Sequence, residues 1–318
     1  MRRARLFIGL GITLHVIFFA LMQMGVEPFQ TFFYLFAWWT FIPVIGIVNA
    51  ECGGNSIIFG ANQQLAWVTG CSLIVWLFFE IWNFRLHNWF YVGVIELTWL
   101  RWLAYSVSFA TVLPAILEVD TLLDNLGLIR RAPGPVVTVS ARLLNALVLT
   151  GLTMLVMVAL LPRYCFPLLW VAPVFILDPV IYQRDRAASF LGQAANGSYT
   201  RVVRLMLAGV ICGVLWEFWN YWSGAKWLYA IPMFDFWKVF EMPLAGYLGF
   251  MPFALECYLF WRLLGLVRAA NTTPNWRVSL LVGAAAVIYC ALVFSGIDDI
   301  TVIWRSTALF SPVGTSMA

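Results

Sequence analysis

Four glutamates stand inside apolar stretches of this 318-residue chain, and their surroundings fall into two patterns. Glu80 lies in Phe79-Glu80-Ile81-Trp82-Asn83, and Glu217 in Trp216-Glu217-Phe218-Trp219-Asn220. On a helix, Asn83 and Asn220 share a face with the glutamate three residues before them. Glu118 and Glu256 each follow a proline by four residues, Pro114 and Pro252. A proline inside a helix frees the carbonyl one turn earlier, which offers each of these acids a further polar partner. A carboxylate at mid-membrane costs about 2.5–3.5 kcal/mol on insertion scales, so such groups face inward, pair, and mark function. The chemistry within reach is acid catalysis, because desolvation disfavours the charged form of a carboxyl and a neutral acid can protonate a substrate. The competing reading is structural, since interhelical Glu–Asn hydrogen bonds also hold helices together at about 0.6 kcal/mol each.

Aromatic residues surround these acids. Trp82, Trp89 and Tyr91 follow Glu80, and Trp219, Trp227 and Tyr229 accompany Glu217. Their faces could bind an apolar substrate and stabilise a carbocation, or they could be ordinary anchors at the membrane interface. Glu241, in Glu241-Met242-Pro243, stands at the expected start of a span, where the helix dipole favours a carboxylate; it is a further acid candidate. Asp178, before Pro179, reads as an interfacial or helix-ending residue. The two histidines, His15 and His87, are too far apart in kind and place to hold a haem, and His15 reads as a hydrogen-bonded residue within a span. Six cysteines are scattered singly, with no zinc or disulfide spacing, and no phosphate-binding loop is present. No metal or other cofactor is expected.

The elements that must position these groups are membrane helices. Hydrophobic residues make up 63% of the chain and charged residues 11%, against about 45–50% and about 25% in soluble domains. That composition excludes an ordinary soluble globule and a nucleic-acid-binding module. Runs of about 20 apolar residues predict nine spans, near 6–25, 30–48, 64–83, 99–119, 143–161, 164–182, 204–222, 243–266 and 278–297. The fourth is blurred at its start by Glu96 and Arg101. With the N-terminus inside, thirteen of the 19 basic residues fall on the cytoplasmic side, as the positive-inside rule requires. The expected location is a multi-pass protein of a bacterial inner or plasma membrane, with a cytoplasmic N-terminus and an external C-terminus. Its partners are then the lipid bilayer and a lipid or isoprenoid substrate, not nucleic acid.

The pattern around the acids recurs. The Glu–Asn segment returns 137 residues on, while Trp89-Phe90-Tyr91 returns as Trp227-Leu228-Tyr229, and Leu113-Pro114 to Glu118 as Met251-Pro252 to Glu256, both 138 residues on. Duplication explains acids, amides and prolines in one order at one interval. The expected fold is all-α: two parallel four-helix repeats, residues 1–128 and 129–266, plus a ninth helix and tail, 267–318. Parallel repeats are related by an axis along the membrane normal.

The stretch Leu215-Trp216-Glu217-Phe218-Trp219-Asn220, with Trp227-Leu228-Tyr229, Glu241-Met242-Pro243-Leu244 and Pro252 to Glu256, resembles the small polytopic carotenoid (lycopene) cyclases and, in outline, other membrane terpene cyclases. The resemblance implies two related multi-span halves and cyclisation of an isoprenoid by a protonating carboxyl. Where that family has paired glutamates after Pro-Leu, this chain has Ala245-Gly246, so the motif does not assign the acid. The spacing Asp120-x-x-x-Asp124 invites comparison with magnesium-diphosphate motifs of membrane prenyltransferases, but the matching region of the second half, Leu263 to Arg268, holds no acid. Three functions stay open: an acid-catalysing membrane enzyme of lipid or isoprenoid chemistry, a carrier using the repeat interface, and a non-catalytic subunit or scaffold.

Overall fold

A computed structural model describes residues 2–59, 64–233, 235–270 and 276–304. Its helices are α1 (Arg2–Gln23), α2 (Phe33–Cys52), α3 (Gln64–Leu86), α4 (Thr98–Phe109), α5 (Val112–Asn125), α6 (Ala141–Leu160), α7 (Pro162–Cys165), α8 (Ala172–Arg184), α9 (Phe190–Ala194), α10 (Thr200–Trp222), α11 (Phe250–Ala270) and α12 (Trp276–Ile300). Four short strands sit between them: β1 (Trp89–Val92), β2 (Lys226–Tyr229), β3 (Lys238–Val239) and β4 (Met242–Pro243). Among the described residues, nine helical units are long and apolar enough to cross a membrane. They coincide with the nine expected spans, the protein being all-α and polytopic.

Two spans are interrupted, and proline accounts for both. The fourth breaks between α4 and α5 at Ala110-Thr111, just before Pro114. Backbone groups freed inside a membrane need partners, and Ser72 on α3 supplies them: its hydroxyl donates to Phe109 O (2.6 Å) and accepts from Leu113 N (3.0 Å). Ser72 thus bridges the break, and Glu118 takes no part in it, its oxygens accepting from Asn49, Ser56 and Ile58. Pro252 frees no carbonyl for Glu256 either, because it lies in the first turn of α11, where an N–H has no helical partner to lose. The sixth span consists of α7, a 3-10 turn over Phe166–Trp170, and α8, with Pro162, Pro167 and Pro173 at the element starts.

The bundle is built around α5, whose residues are buried from Val112 to Asp120 and which packs against α2, α3, α10 and α11. α10 and α11 approach closely because Gly209 and Gly213 leave room: a Cβ on Gly209 would lie 2.1 Å from Phe250 O, and one on Gly213 would meet the Phe250 ring. By contrast α1, α6 and α12 bury few side chains, and their apolar outer faces match the bilayer. β1 and β2 form an antiparallel ribbon, with Trp89 opposite Tyr229 and Tyr91 opposite Trp227. The chain beyond α12 flanks β1, where Tyr91 N donates to Thr301 O and Ile303 N to Tyr91 O, both 2.8 Å. β1 ends at Gly93, whose φ of +67° and contact with Gly224 O exclude a side chain.

Candidate functional site

The ribbon is the centre of the site. Asn83, one turn before the end of α3, holds the start of β1 by both ends of its amide: Nδ2 donates to Trp89 O (2.8 Å), and Oδ1 accepts from Asn88 N (2.9 Å) and Trp89 N (3.2 Å). Asn220 on α10 treats β2 alike, donating to Trp227 O and accepting from Trp227 N, each at 2.9 Å. Both amides thus position strands and make no bond to the glutamates on their own faces. The strands reach the glutamates instead. Tyr91 OH donates to Glu80 Oε1, and Tyr229 OH donates to Glu217 Oε1 at 2.7 Å.

The two glutamates differ in how fully they are held. Glu80 Oε1 also accepts from Trp76 Nε1 (2.7 Å) and Trp89 Nε1 (3.2 Å). The position matching Trp76 in the other half is Gly213, its space taken by the Phe250 ring. Trp227 Nε1, the counterpart of Trp89 Nε1, has no hydrogen-bond partner, and neither Glu80 Oε2 nor Glu217 Oε2 has one. Tyr91 and Tyr229 lie outside the spans; burial above all, with Glu80 and Glu217 acting in the same direction, pushes their phenols well above the usual tyrosine range. Both therefore stay protonated donors.

Glu118 and Glu256 occupy other places. Glu118 ties down the segment after α2: Oε1 accepts from Ser56 Oγ and Ile58 N (both 2.8 Å), and Oε2 from Asn49 Nδ2 (2.6 Å). Glu256 is fully buried in α11, and neither of its oxygens has a partner. Glu241 lies in the β3–β4 turn, not at a helix start, and forms an ion pair with Lys226 (2.6 Å). Asp178 is no helix end: it sits within α8 and accepts from Phe190 N and Leu191 N (both 2.8 Å), capping α9. Asp120 and Asp124 both pair with Arg204. His15 shares a 2.7 Å hydrogen bond with Thr40 Oγ1.

Beneath the ribbon lies a cavity of about 470 Å³, walled by both halves of the chain, within the ~300–1,000 Å³ of small-molecule sites. Trp89, Tyr91, Trp227 and Tyr229 line it together with Trp76, Trp170, Trp216 and Phe253. None of Glu80, Glu118, Glu217, Glu256, Asn83 and Asn220 is in its wall. The expected chamber floored by these groups is replaced by an aromatic one, because the tyrosines stand between Glu80 or Glu217 and the cavity. Trp82 and Trp219 are also outside the wall; Trp219 packs edge-on against Trp38, 4.7 Å between ring centroids.

The sequence reading missed an ion pair that closes one side of this cavity. Arg101 of α4 donates to Asp298 of α12 through Nε and Nη2 (both 2.7 Å), while Trp102 Nε1 (2.8 Å) and Tyr105 OH (3.0 Å) donate to the same carboxylate. Arg101 Nη1 reaches the carbonyls of Ile95 (2.8 Å) and Glu96 (2.7 Å). The signal was available, since opposite charges within spans pair with one another. Among the described residues, no group of three or more His, Cys, Asp or Glu side chains is placed to hold a metal ion. Compared with known proteins, the chain matches no protein-family model, no curated protein and no solved structure.

Proposed function

We propose that this protein is an integral membrane enzyme that takes a lipid or isoprenoid into the aromatic cavity and acts on it by cyclase-like acid chemistry. The observation that carries the reading is the convergence of two Tyr–Glu pairs, Tyr91–Glu80 and Tyr229–Glu217, on one ring-lined cavity. A proton leaving either carboxyl for a ligand must cross the phenol in front of it. Protonation of a double bond leaves a carbocation, which the faces of Trp76, Trp89, Trp216 and Trp227 stabilise; loss of a proton from a neighbouring carbon returns it to the pair. Glu217 is the stronger acid candidate of the two, because Tyr229 alone occupies its Oε1 whereas three donors hold Glu80.

In this reading the two halves are duplicated parallel repeats. The matching Asn–strand and Tyr–Glu bonds support it, as does the antiparallel ribbon, since a two-fold axis along the membrane normal would set equivalent strands antiparallel. The excess of basic residues in the opposite loops supports an external position for the ribbon and cavity. A carrier function for the same apolar ligand is the second reading, favoured by the absence of every one of the four carboxyls from the cavity wall.

The test is the lipid and pigment extract of cells with and without the gene, complemented by Glu217→Gln and Tyr229→Phe. An enzyme leaves an unconverted precursor in the deletion and in both variants. Full restoration of the profile by Glu217→Gln contradicts acid catalysis by this residue and favours the carrier.

A further inference from the structure

A ligand needs a way into the cavity, and the wall shows where the cavity meets the surface. Three wall residues are exposed, Pro167, Ala245 and Leu248, while the others are half-buried or buried. All three are apolar, and Leu248 is 64% exposed although it also lines the cavity. They belong to two turns of one kind. Pro167 lies in the 3-10 turn Phe166–Trp170 of the sixth span, and Ala245 and Leu248 lie in a second 3-10 turn, Leu244–Gly249, just before α11.

Proline explains why both spans lose their α-helix here. The ring of Pro252 would clash with the helical carbonyl four residues back, at Leu248, and α11 accordingly begins at Phe250. Pro173, second in α8, acts in the same way on Leu169. Helix contacts give the depth. Phe250 packs at Gly209 and Gly213 of α10, and Tyr258 OH, about two turns further along α11, meets Arg201 Nη1 (2.6 Å) at the start of α10. The two helices are therefore antiparallel neighbours, and α10 runs on from Gly213 to Trp222, about 14 Å past the start of α11 at 1.5 Å per residue. The turn Leu244–Gly249 occupies that interval, its six residues spanning about 12 Å. α8 is also short, with 13 residues or about 20 Å, against a hydrocarbon core of about 30 Å. Spans six and eight are neighbours, since α11 packs against both α8 and the Phe166–Trp170 turn. On the ribbon side of the membrane the wall between them is thus made of two 3-10 turns. The surface around it is apolar, with Leu161 and Tyr164 exposed before one turn and Leu244 exposed in the other.

We propose that this place is a lateral portal, through which a hydrocarbon chain passes between the ribbon-side leaflet and the cavity. A chain enters here and a charged head does not, because the exposed wall residues carry no charge and the wall's cations, Arg101 and Lys226, are paired with Asp298 and Glu241. A ligand arriving from water would need an opening among the loops, where the wall residues Ala225, Ile231 and Met233 are all half-buried. The proposal rests on the cavity being a site for a lipid or isoprenoid, and the test separates the two claims.

The probe is farnesol. The full chain in lipid nanodiscs is loaded with it, mixed with vesicles holding deuterium-labelled farnesol, and sampled by native mass spectrometry. The mass of the adduct gives the exchange rate, and its occupancy at saturation reports an intact cavity. Ala245→Trp and Leu248→Trp place an indole in the portal and should slow exchange about tenfold, with full occupancy at saturation. Leu149→Trp, on the exposed face of α6, should exchange at the wild-type rate, and Met233→Trp, on the loop side of the wall, should slow exchange less than either portal variant. Where an indole abolishes the adduct, Gly249→Leu decides in its place, because a Cβ there meets nothing within 4 Å. Exchange at the wild-type rate in the portal variants, faster exchange with weaker binding, or a larger slowing by Met233→Trp overturns the portal and leaves the cavity reading intact. A wild type that takes up no farnesol overturns the cavity reading itself.

Discussion

Asp298→Leu should destabilise the protein severely, and a double-mutant cycle with Arg101→Leu should show why. The Asp298 carboxylate accepts four hydrogen bonds, two from Arg101 and one each from Trp102 and Tyr105, and its side chain is 12% exposed against 6% for Arg101. Removing one member of a buried pair leaves an uncompensated charge, at about 3–5 kcal/mol. Each single variant is expected to lose about that amount. The double variant removes both charges and strands Trp102 Nε1 and Tyr105 OH, and it frees the carbonyls of half-buried Ile95 and exposed Glu96, so it should lose about 2–4 kcal/mol. The coupling energy then exceeds about 2 kcal/mol. Unfolding of purified protein in mixed micelles with increasing dodecyl sulfate, followed by tryptophan emission, measures all four corners of the cycle. Single losses that simply add, to within about 0.5 kcal/mol, would refute a closed ion pair between α4 and α12.

Three further outcomes are expected. Glu118→Leu strands Ser56 Oγ and Ile58 N, while Asn49 Nδ2 keeps its 2.9 Å bond to the residue-118 carbonyl, at about 1–3 kcal/mol per buried group; limited proteolysis should then cut within residues 53–59, which the wild type should resist. Asn220→Ala breaks two bonds that fix β2 and should cost about 1–3 kcal/mol, with slower ligand binding by Trp emission but unchanged membrane insertion. The raised phenols of Tyr91 and Tyr229 make stability depend on alkali: it is fully present below the unfolded tyrosine value near pH 10 and declines above it, because the unfolded chain releases protons that the folded one keeps, at about 1.4 kcal/mol per pH unit for each phenol. Unfolding measured between pH 9 and 12 should fall less steeply in Tyr91→Phe/Tyr229→Phe.

Hydropathy made the nine spans legible, including the fourth, where Arg101 obscured the start only because its partner lies 197 residues away on α12. Spacing correctly placed Glu80 and Glu217 on buried helical faces, fully enclosed in the structure. It could not show what those acids touch. Helical periodicity relates residues within a helix, whereas the partners of Glu80 and Glu217 arrive on β1 and β2, four-residue strands in loops that carry no span signal. The same limit hid the role of Asn83 and Asn220, which bond forward into those strands. Pro114 signalled a freed carbonyl but not the break in the fourth span, which is bridged by Ser72, an unremarkable serine on another helix.

The central claim, that the cavity beneath the ribbon houses a lipid or isoprenoid, is tested most directly by native mass spectrometry of the gently purified protein and of a cavity-filling variant, Ala104→Trp. Ala104 is small, half-buried and part of the wall, so an indole there takes up ligand space at a residue that makes none of the hydrogen bonds to Glu80 or Glu217. The wild type should carry one apolar adduct of stoichiometry one that Ala104→Trp lacks, both proteins being equally folded. An adduct-free wild type under conditions that retain annular lipid, or the same adduct at the same occupancy in Ala104→Trp, would contradict the account.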